Sequence, residues 1–346
     1  MTKISRKKPD VKKIKFEETH CFLCGPDVPI EKLFRAPDRL SGIPGCFSLV
    51  RCKKCGLVFQ NPRPKEECAR YLYPDTLGYF QPRDSQLLSL FKPTIENIIL
   101  INYYGYRNLG KPNIIYKILT LPLYLAIYRP LSIPKYVENG TLLEIGCSHG
   151  SKLQWMKQIG WKTFGVEPNK NAVGYARKKR GLNVRLGTIE SVNFKANSFD
   201  VIILDMVMEH LYHPEIAISK VTKWLKKDGQ LIFSIPYFEG LEFKSFGKYC
   251  YALHLPHHMY FYNKNSIRQL LKKNFSSPKF VFQWFSQDII ASAKYERAEN
   301  NHPRLFSKII AKNPLKIVFI VRIMLFFYSL FKPTSRVTVF SKKVAE

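Results

Sequence analysis

Residues 141–150 read Thr-Leu-Leu-Glu-Ile-Gly-Cys-Ser-His-Gly, and this run decides the fold. Leu142, Leu143 and Ile145 make a short buried strand, with Glu144 near its end. Gly146 and Gly150 bound a tight loop that opens a helix. Such a loop lets backbone N–H groups and a helix N-terminus come close to a polar ligand. The acid selects among ligands. A doubly negative pyrophosphate is repelled by Glu144, whereas a ligand carrying an ammonium group is attracted to it.

Outward from this run the text is regular. The pattern predicts a helix over 150–159, a strand over 162–166 ending at Glu167, and a helix over 169–180. Strands follow at 182–186 and 200–205, then a helix at 214–227 and a strand at 229–235. A helix at 264–274, a strand at 278–284 and a last strand at 335–343 complete it. Alternation of this kind means βαβ units and a mainly parallel sheet.

The order of parts resembles class I S-adenosylmethionine-dependent methyltransferases, over roughly 138–285 plus the last strand. The resemblance implies an α/β fold, a Rossmann-like seven-stranded sheet with helices on both faces. It implies that Glu144, Gly146, Cys147, Ser148 and Gly150 cradle the methionine part and ribose of S-adenosylmethionine. Glu167, 21 residues beyond Gly146, would take both ribose hydroxyls, since a carboxylate accepts two hydrogen bonds from a vicinal diol. Thr188 and Ile189 would meet adenine, and Asp205 and Met206 would line the methionine end. Ser148 stands where the family commonly has Gly, which requires a negative φ there.

Two C-x-x-C pairs, Cys21/Cys24 and Cys52/Cys55, lie 27 residues apart, each followed by Gly. Paired knuckles of this spacing suit a closed four-thiolate site for structural Zn2+. Such an ion contributes folding free energy to a segment too small for its own core. Cys46, Cys68, Cys147 and Cys250 lack partners at ligand spacing. Together with Arg51–Pro64, the knuckles resemble methyltransferases with an N-terminal zinc-binding, zinc-ribbon-like module. Among these are sugar C-methyltransferases and enzymes associated with surface polysaccharides.

The chain divides into a basic tail (1–15), the zinc module (16–75) and a Pro-interrupted helical insertion (76–137). The cofactor-binding core follows (138–300), then a basic apolar helical insertion (301–332) and the last core strand with a tail (333–346). No apolar run follows the basic N-terminus, so a cytoplasmic, reducing setting is expected.

Methyl transfer needs a positioned nucleophile and, for many acceptors, a base. His257 and His258 lie in a His-rich stretch (253–262) that resembles the loop bordering the substrate pocket in related enzymes. His210, after the fourth strand, is the other candidate, with Glu209 placed to orient an imidazole. His213 precedes Pro214 and reads as a helix cap. Tyr260 and Tyr262 fit either stacking on a sugar or base, or core packing.

A formal charge of +29 points to an anionic partner. The expected acceptor is a small anionic molecule, a sugar-nucleotide or lipid-linked sugar, methylated on oxygen or carbon. Residues 315–331 are apolar but carry Lys316 and Arg322 and precede a core strand, which favours peripheral membrane contact over a span. Packing of this segment against the apolar 112–128 stretch is the competing reading. For function, an RNA methyltransferase and a non-catalytic cofactor-binding or interaction protein compete. Asp205-Met-Val-Met in place of an Asn-Pro-Pro-Tyr-like run disfavours amino-group methylation of a base, and intact Glu144 and Glu167 disfavour loss of the cofactor.

Overall fold

The computed structural model describes residues 13–73, 93–312 and 314–344. The boundary at 75/76, most of the basic tail and residues 85–92 lie outside the described residues.

The N-terminal part holds β1 (Phe16–Glu17), β2 (Ile30–Pro37), β3 (Cys46–Cys52), β4 (Val58–Gln60) and β5 (Arg63–Pro64). Short helices follow, α1 (Pro93–Ile99) and α2 (Ile114–Leu119), with π-helical turns at Leu100–Tyr104 and Tyr124–Tyr128. The core then runs β6 (Thr141–Ile145), α3 (Ser151–Gln158), β7 (Lys162–Glu167), α4 (Lys170–Arg180), β8 (Asn183–Leu186) and β9 (Phe199–Asp205). It continues with α5 (Pro214–Trp224), β10 (Leu225–Pro236), α6 (Leu241–Phe246), β11 (Tyr260–Phe261) and α7 (Lys264–Leu271). Last come β12 (Lys279–Gln283), α8 (Ser286–Glu299), α9 (Leu305–Lys312), α10 (Pro314–Phe331) and β13 (Arg336–Lys342).

Seven strands form the main sheet in the order β12-β13-β10-β9-β6-β7-β8. The pairs from β10 through β8 are parallel, and β13 runs antiparallel between β10 and β12. The central strands are buried on both faces because helices cover both. Leu142, Val201, Ile203 and Ile232 point to a layer with Ile99, Tyr104, Tyr128 and Met156. Their neighbours Leu143, Ile202, Leu204 and Leu231 point the other way, to Ile218, Val221, Ile267 and Phe59. Period-two alternation thus fills two cores from one set of strands.

The sequence placed most core elements within a few residues. One helix was drawn too long: α5 ends at Trp224, and the next strand begins at Leu225 with a register shift before Gln230. Asp228, at φ 60°, and Gly229 make the irregularity.

The last strand is locked in place. Asp288 on α8 accepts from Arg336 Nε at 2.7 Å and Nη2 at 2.9 Å, and from Ser335 Oγ at 2.9 Å. Glu242 accepts from the Ser335 N–H at 2.6 Å. A bidentate, fully hydrogen-bonded pair of this kind tolerates burial.

The N-terminal module does not stand apart. Its sheet, β11-β4-β3-β2, takes β11 from the loop after the fifth core strand. Cys52, Leu57 and Phe59 share a core with the main sheet, and Phe47 and Val58 share one with Phe261 and Leu325.

Gly240 marks where this packing is tightest: a Cβ there would lie 2.2 Å from the Thr334 carbonyl oxygen. Gly240→Ala is therefore expected to destabilise the fold by about 1–3 kcal/mol, the usual cost of overpacking. A denaturant midpoint equal to that of the native chain would show that the 240/334 crossing is looser than this.

Candidate active site

The chain leaves β6, builds β7 and β8 on one side, then returns to β9 on the other. A crevice opens outside the carboxyl ends of strands at such a switch point. Glu144, Gly146, Ser148, Gly150, Glu167, Asp205 and Met206 all stand at the carboxyl ends of β6, β7 and β9 or in the turns just after them.

Gly146 has φ 70°, and a Cβ there would lie 2.6 Å from Val207 Cγ2. Gly150 has φ 76°, and a Cβ would lie 2.4 Å from Leu182 Cδ1. Both are needed as glycine. Ser148 corrects the expectation from sequence: its φ is +48°, left-handed, not negative. Its N–H donates to Glu167 Oε2 at 2.9 Å, a contact that favours the loop's geometry. Cys147 turns its thiol into the core, where a Cβ on Gly165 would sit 2.6 Å from it. Only its backbone is available to a ligand.

Glu167 also accepts from the Asn169 N–H at 2.9 Å. Each oxygen thus takes one backbone donor and keeps a second lone pair, which suits a diol. Burial raises the Glu167 carboxyl above its usual range, and these two N–H groups pull it back. Beyond β8, Thr188 is exposed and its hydroxyl accepts from the Ser191 N–H at 3.3 Å. Ile189 is buried in the core beside Val192.

Glu144 is buried and its Oε2 meets no hydrogen-bond donor. Burial pushes its carboxyl up to about 7, against the pull of the Lys152 ammonium. Lys152 pairs with Asp205, which also accepts from Ser132 and from Ser234 Oγ at 3.0 Å. Lys152, Ser132 and Ser234 were not singled out from sequence. Lys152 left one signal: a cation in the first turn of a helix opposes the helix dipole and needs an acid in front of it. Met206 follows Asp205 at φ 53°, its N–H donating to the Ser234 carbonyl at 2.9 Å.

Four residues past Asp205, a second cluster begins. One ligand atom each from Glu209, His210 and His258 lie within 4.8 Å of one another. Glu209 is 0% exposed and neither carboxyl oxygen has a hydrogen-bond partner. Burial pushes its carboxyl up to about 8. His258 Nε2 lies 3.9 Å from Glu209 Oε1, while its Nδ1 meets the Ala252 carbonyl at 3.0 Å. His210 Nδ1 meets the His257 carbonyl at 3.0 Å and the Tyr73 hydroxyl at 2.8 Å. Burial, reinforced by neighbouring His257, pushes the His210 imidazole down to about 4. His257 Nε2 is held by the Leu72 carbonyl at 2.9 Å and Ser41 Oγ at 3.1 Å. Near neutral pH the imidazoles are therefore uncharged and Glu209 holds its proton. His257 and His258 are 3% and 2% exposed, whereas His210 is half-buried. Only His210, of the four named, combines the strand-end position with access.

His213 takes the N-cap position of α5 without a side-chain capping bond; its ring contacts Glu66 and Glu215. Tyr260 and Tyr262 are buried core residues.

The four sulfurs of Cys21, Cys24, Cys52 and Cys55 lie within 4.8 Å of one another, with Cys21 and Cys55 at 3.5 Å. A tetrahedral ion with metal–sulfur bonds of about 2.3 Å sets sulfurs roughly 3.8 Å apart, so the cluster fits such an ion. The knuckle bonds are present, with Gly25 N to Cys21 O at 2.9 Å and Gly56 N to Cys52 O at 2.9 Å. From α7, Gln269 Nε2 donates to the Leu23 carbonyl at 2.9 Å and lies 3.7 Å from Cys24 Sγ.

A family model described as a methyltransferase domain matches residues 121–274. The chain thus has an α/β methyltransferase fold, and residues 121–274 are similar to a methyltransferase domain. Among curated proteins, the uncharacterized protein MJ1123 of Methanocaldococcus jannaschii is 29% identical over 104 residues, 30% of this chain and 48% of that one. The chain spans about half the length of that relative. Similar solved structures include a methyltransferase from Thermotoga maritima, 19% identical, covering 75% of this chain and 99% of that one, TM-score 0.41. Another, from Archaeoglobus fulgidus, is 16% identical, covering 66% and 94%, TM-score 0.41.

The Glu144 geometry gives a pH dependence. S-adenosylmethionine carries an ammonium, so it binds best to the ionised carboxylate, and binding below pH 7 must expel a proton. Affinity should therefore rise with pH and level off above 7, losing roughly tenfold per unit well below it. Calorimetry in buffers of different ionisation enthalpy reads both quantities; no proton release at pH 6 would refute this assignment of Glu144.

Proposed function

We propose that this methyltransferase acts on a small anionic acceptor of the nucleotide-linked or lipid-linked sugar class. In this reading His210 takes the acceptor's proton as the methyl group is transferred. The observation that carries it is the position of His210: half-buried, beyond Asp205 at the end of β9, with Nδ1 held by the His257 carbonyl and the Tyr73 hydroxyl. That leaves Nε2 as the basic nitrogen. The uncharged imidazole carries a lone pair on Nε2, and the carbonyl fixes its tautomer. Glu209, His257 and His258 act as positioning residues behind it, with no access of their own. When bound, S-adenosylmethionine supplies the electrophilic methyl. Glu167 would hold its ribose, and Glu144 its ammonium. The net charge of +29 favours an anionic acceptor, and it is also the observation that keeps RNA as a second reading.

A labelled-methyl transfer screen over sugar nucleotides, lipid extract and total RNA tests the acceptor class. Transfer to RNA alone overturns the sugar reading. On the accepted substrate, His210→Ala should lower kcat about 10²–10⁴-fold with little change in S-adenosylmethionine affinity. A mutant with native kcat removes His210 as the base.

We further propose that Cys21, Cys24, Cys52 and Cys55 hold one structural Zn2+. Metal analysis of reduced protein should find one ion per chain, and Cys55→Ser should release it and lower the thermal midpoint. Metal-free protein with an unchanged midpoint would dismiss the ion.

A further inference from the structure

We infer that the exposed apolar faces of α9 and α10 rest on an anionic lipid bilayer, holding the enzyme at a membrane surface without spanning it. The inference is independent of the acceptor proposed above.

The competing expectation was that the two apolar segments pack on each other. They do not use their apolar surface that way. On α10, Val321 and Leu325 are buried against the body, but Phe319, Ile320, Ile323, Met324, Phe327 and Phe331 are exposed, from 42% to 85%. On α9, Ser307 and Ile310 face inward and Leu305, Phe306 and Ile309 face out. On α2 exposure runs round the whole helix: Ile114, Ile115, Tyr116, Ile118 and Leu119 are each at least 51% exposed.

Charge identifies the partner. Residues 301–332 contain six Lys or Arg and no Asp or Glu. Residues 101–137 contain five and none. Lys308, Lys312, Arg322 and Lys332 are exposed among the apolar side chains of α9 and α10. Lys and Arg stems lie along apolar surface while their heads reach phosphate, and anionic leaflets attract such residues. An interface between two copies would instead confront like charge with like charge. No helix among the described residues is long and apolar enough to cross a membrane, so the geometry is that of a helix lying in the interface plane.

The test is sedimentation of the full chain, without S-adenosylmethionine, with vesicles of phosphatidylcholine alone or mixed with phosphatidylglycerol. Binding is expected to the mixed vesicles and to fall at least about tenfold on phosphatidylcholine alone or at high salt. Phe319→Ser with Phe327→Ser should weaken it at least about tenfold while the thermal midpoint holds, since both side chains are exposed. If that variant melts early, Lys308→Glu with Lys312→Glu is the substitute and should give the same loss. Absence of vesicle binding overturns the inference. So does binding indifferent to both variants. Concentration-dependent self-association in lipid-free buffer, abolished by the Phe variant, would assign the face to a second copy instead.

Discussion

Glu144 sits one residue from the end of β6, an inner strand of the sheet, buried, with an oxygen that meets no donor. A carboxylate so placed is costly, and the fold must answer it with a cation or a proton. The answer is built in steps. Strand β6 pairs with β7 and β9, which fixes where the acid ends up. The glycine loop turns α3 back over the crevice, and its first turn delivers Lys152. Lys152 spends its charge mainly on Asp205, at the end of β9. One acid thus remains under-compensated at the floor of the crevice. In the proposed reading an ammonium-bearing cofactor would relieve that residual negative charge, which the sheet topology, the two glycines and the Lys152–Asp205 pair leave in place.

The second half of the site follows a different electrostatic logic. Around His210 the imidazoles are held uncharged by burial and Glu209 keeps its proton. Backbone carbonyls of Ala252 and His257 fix His258 and His210, so the orientation of the rings is set by the loop after β10, not by ion pairs. In the proposed reading, donor binding and proton removal both sit at strand ends, and the loop after β10 orients the second group.

Much of the first half was legible in sequence because it is local. Strand, acid, glycine loop and helix are contiguous over 141–158, and Glu167 follows one helix later. What was missed is non-local or polar. Tyr73 reaches His210 from the N-terminal module, across 137 residues of sequence. Helix α8 escaped because its inward face carries Asp288, Ser292 and Glu296 beside Ile289 and Ala293; a polar buried stripe hides helical periodicity from any hydrophobic pattern. The module's strands escaped similarly, since β2 alternates weakly and is mostly half-exposed or exposed. Ser148 was misjudged in φ because its stabilising contact, the Glu167 carboxylate, belongs to the next strand.

The two-residue strand β11 has an outsized bearing on how this chain can change. By pairing with β4, it makes the edge of the N-terminal sheet out of the segment that also carries His257 and His258. The cysteine-bearing module and the loop that carries His257 and His258 therefore share backbone hydrogen bonds, and Phe261 is buried in a core with Phe47 and Val58. The module is not a detachable accessory in the manner of a domain joined by a linker. Its loss would expose a strand edge and a core face at once, so the two parts should unfold together.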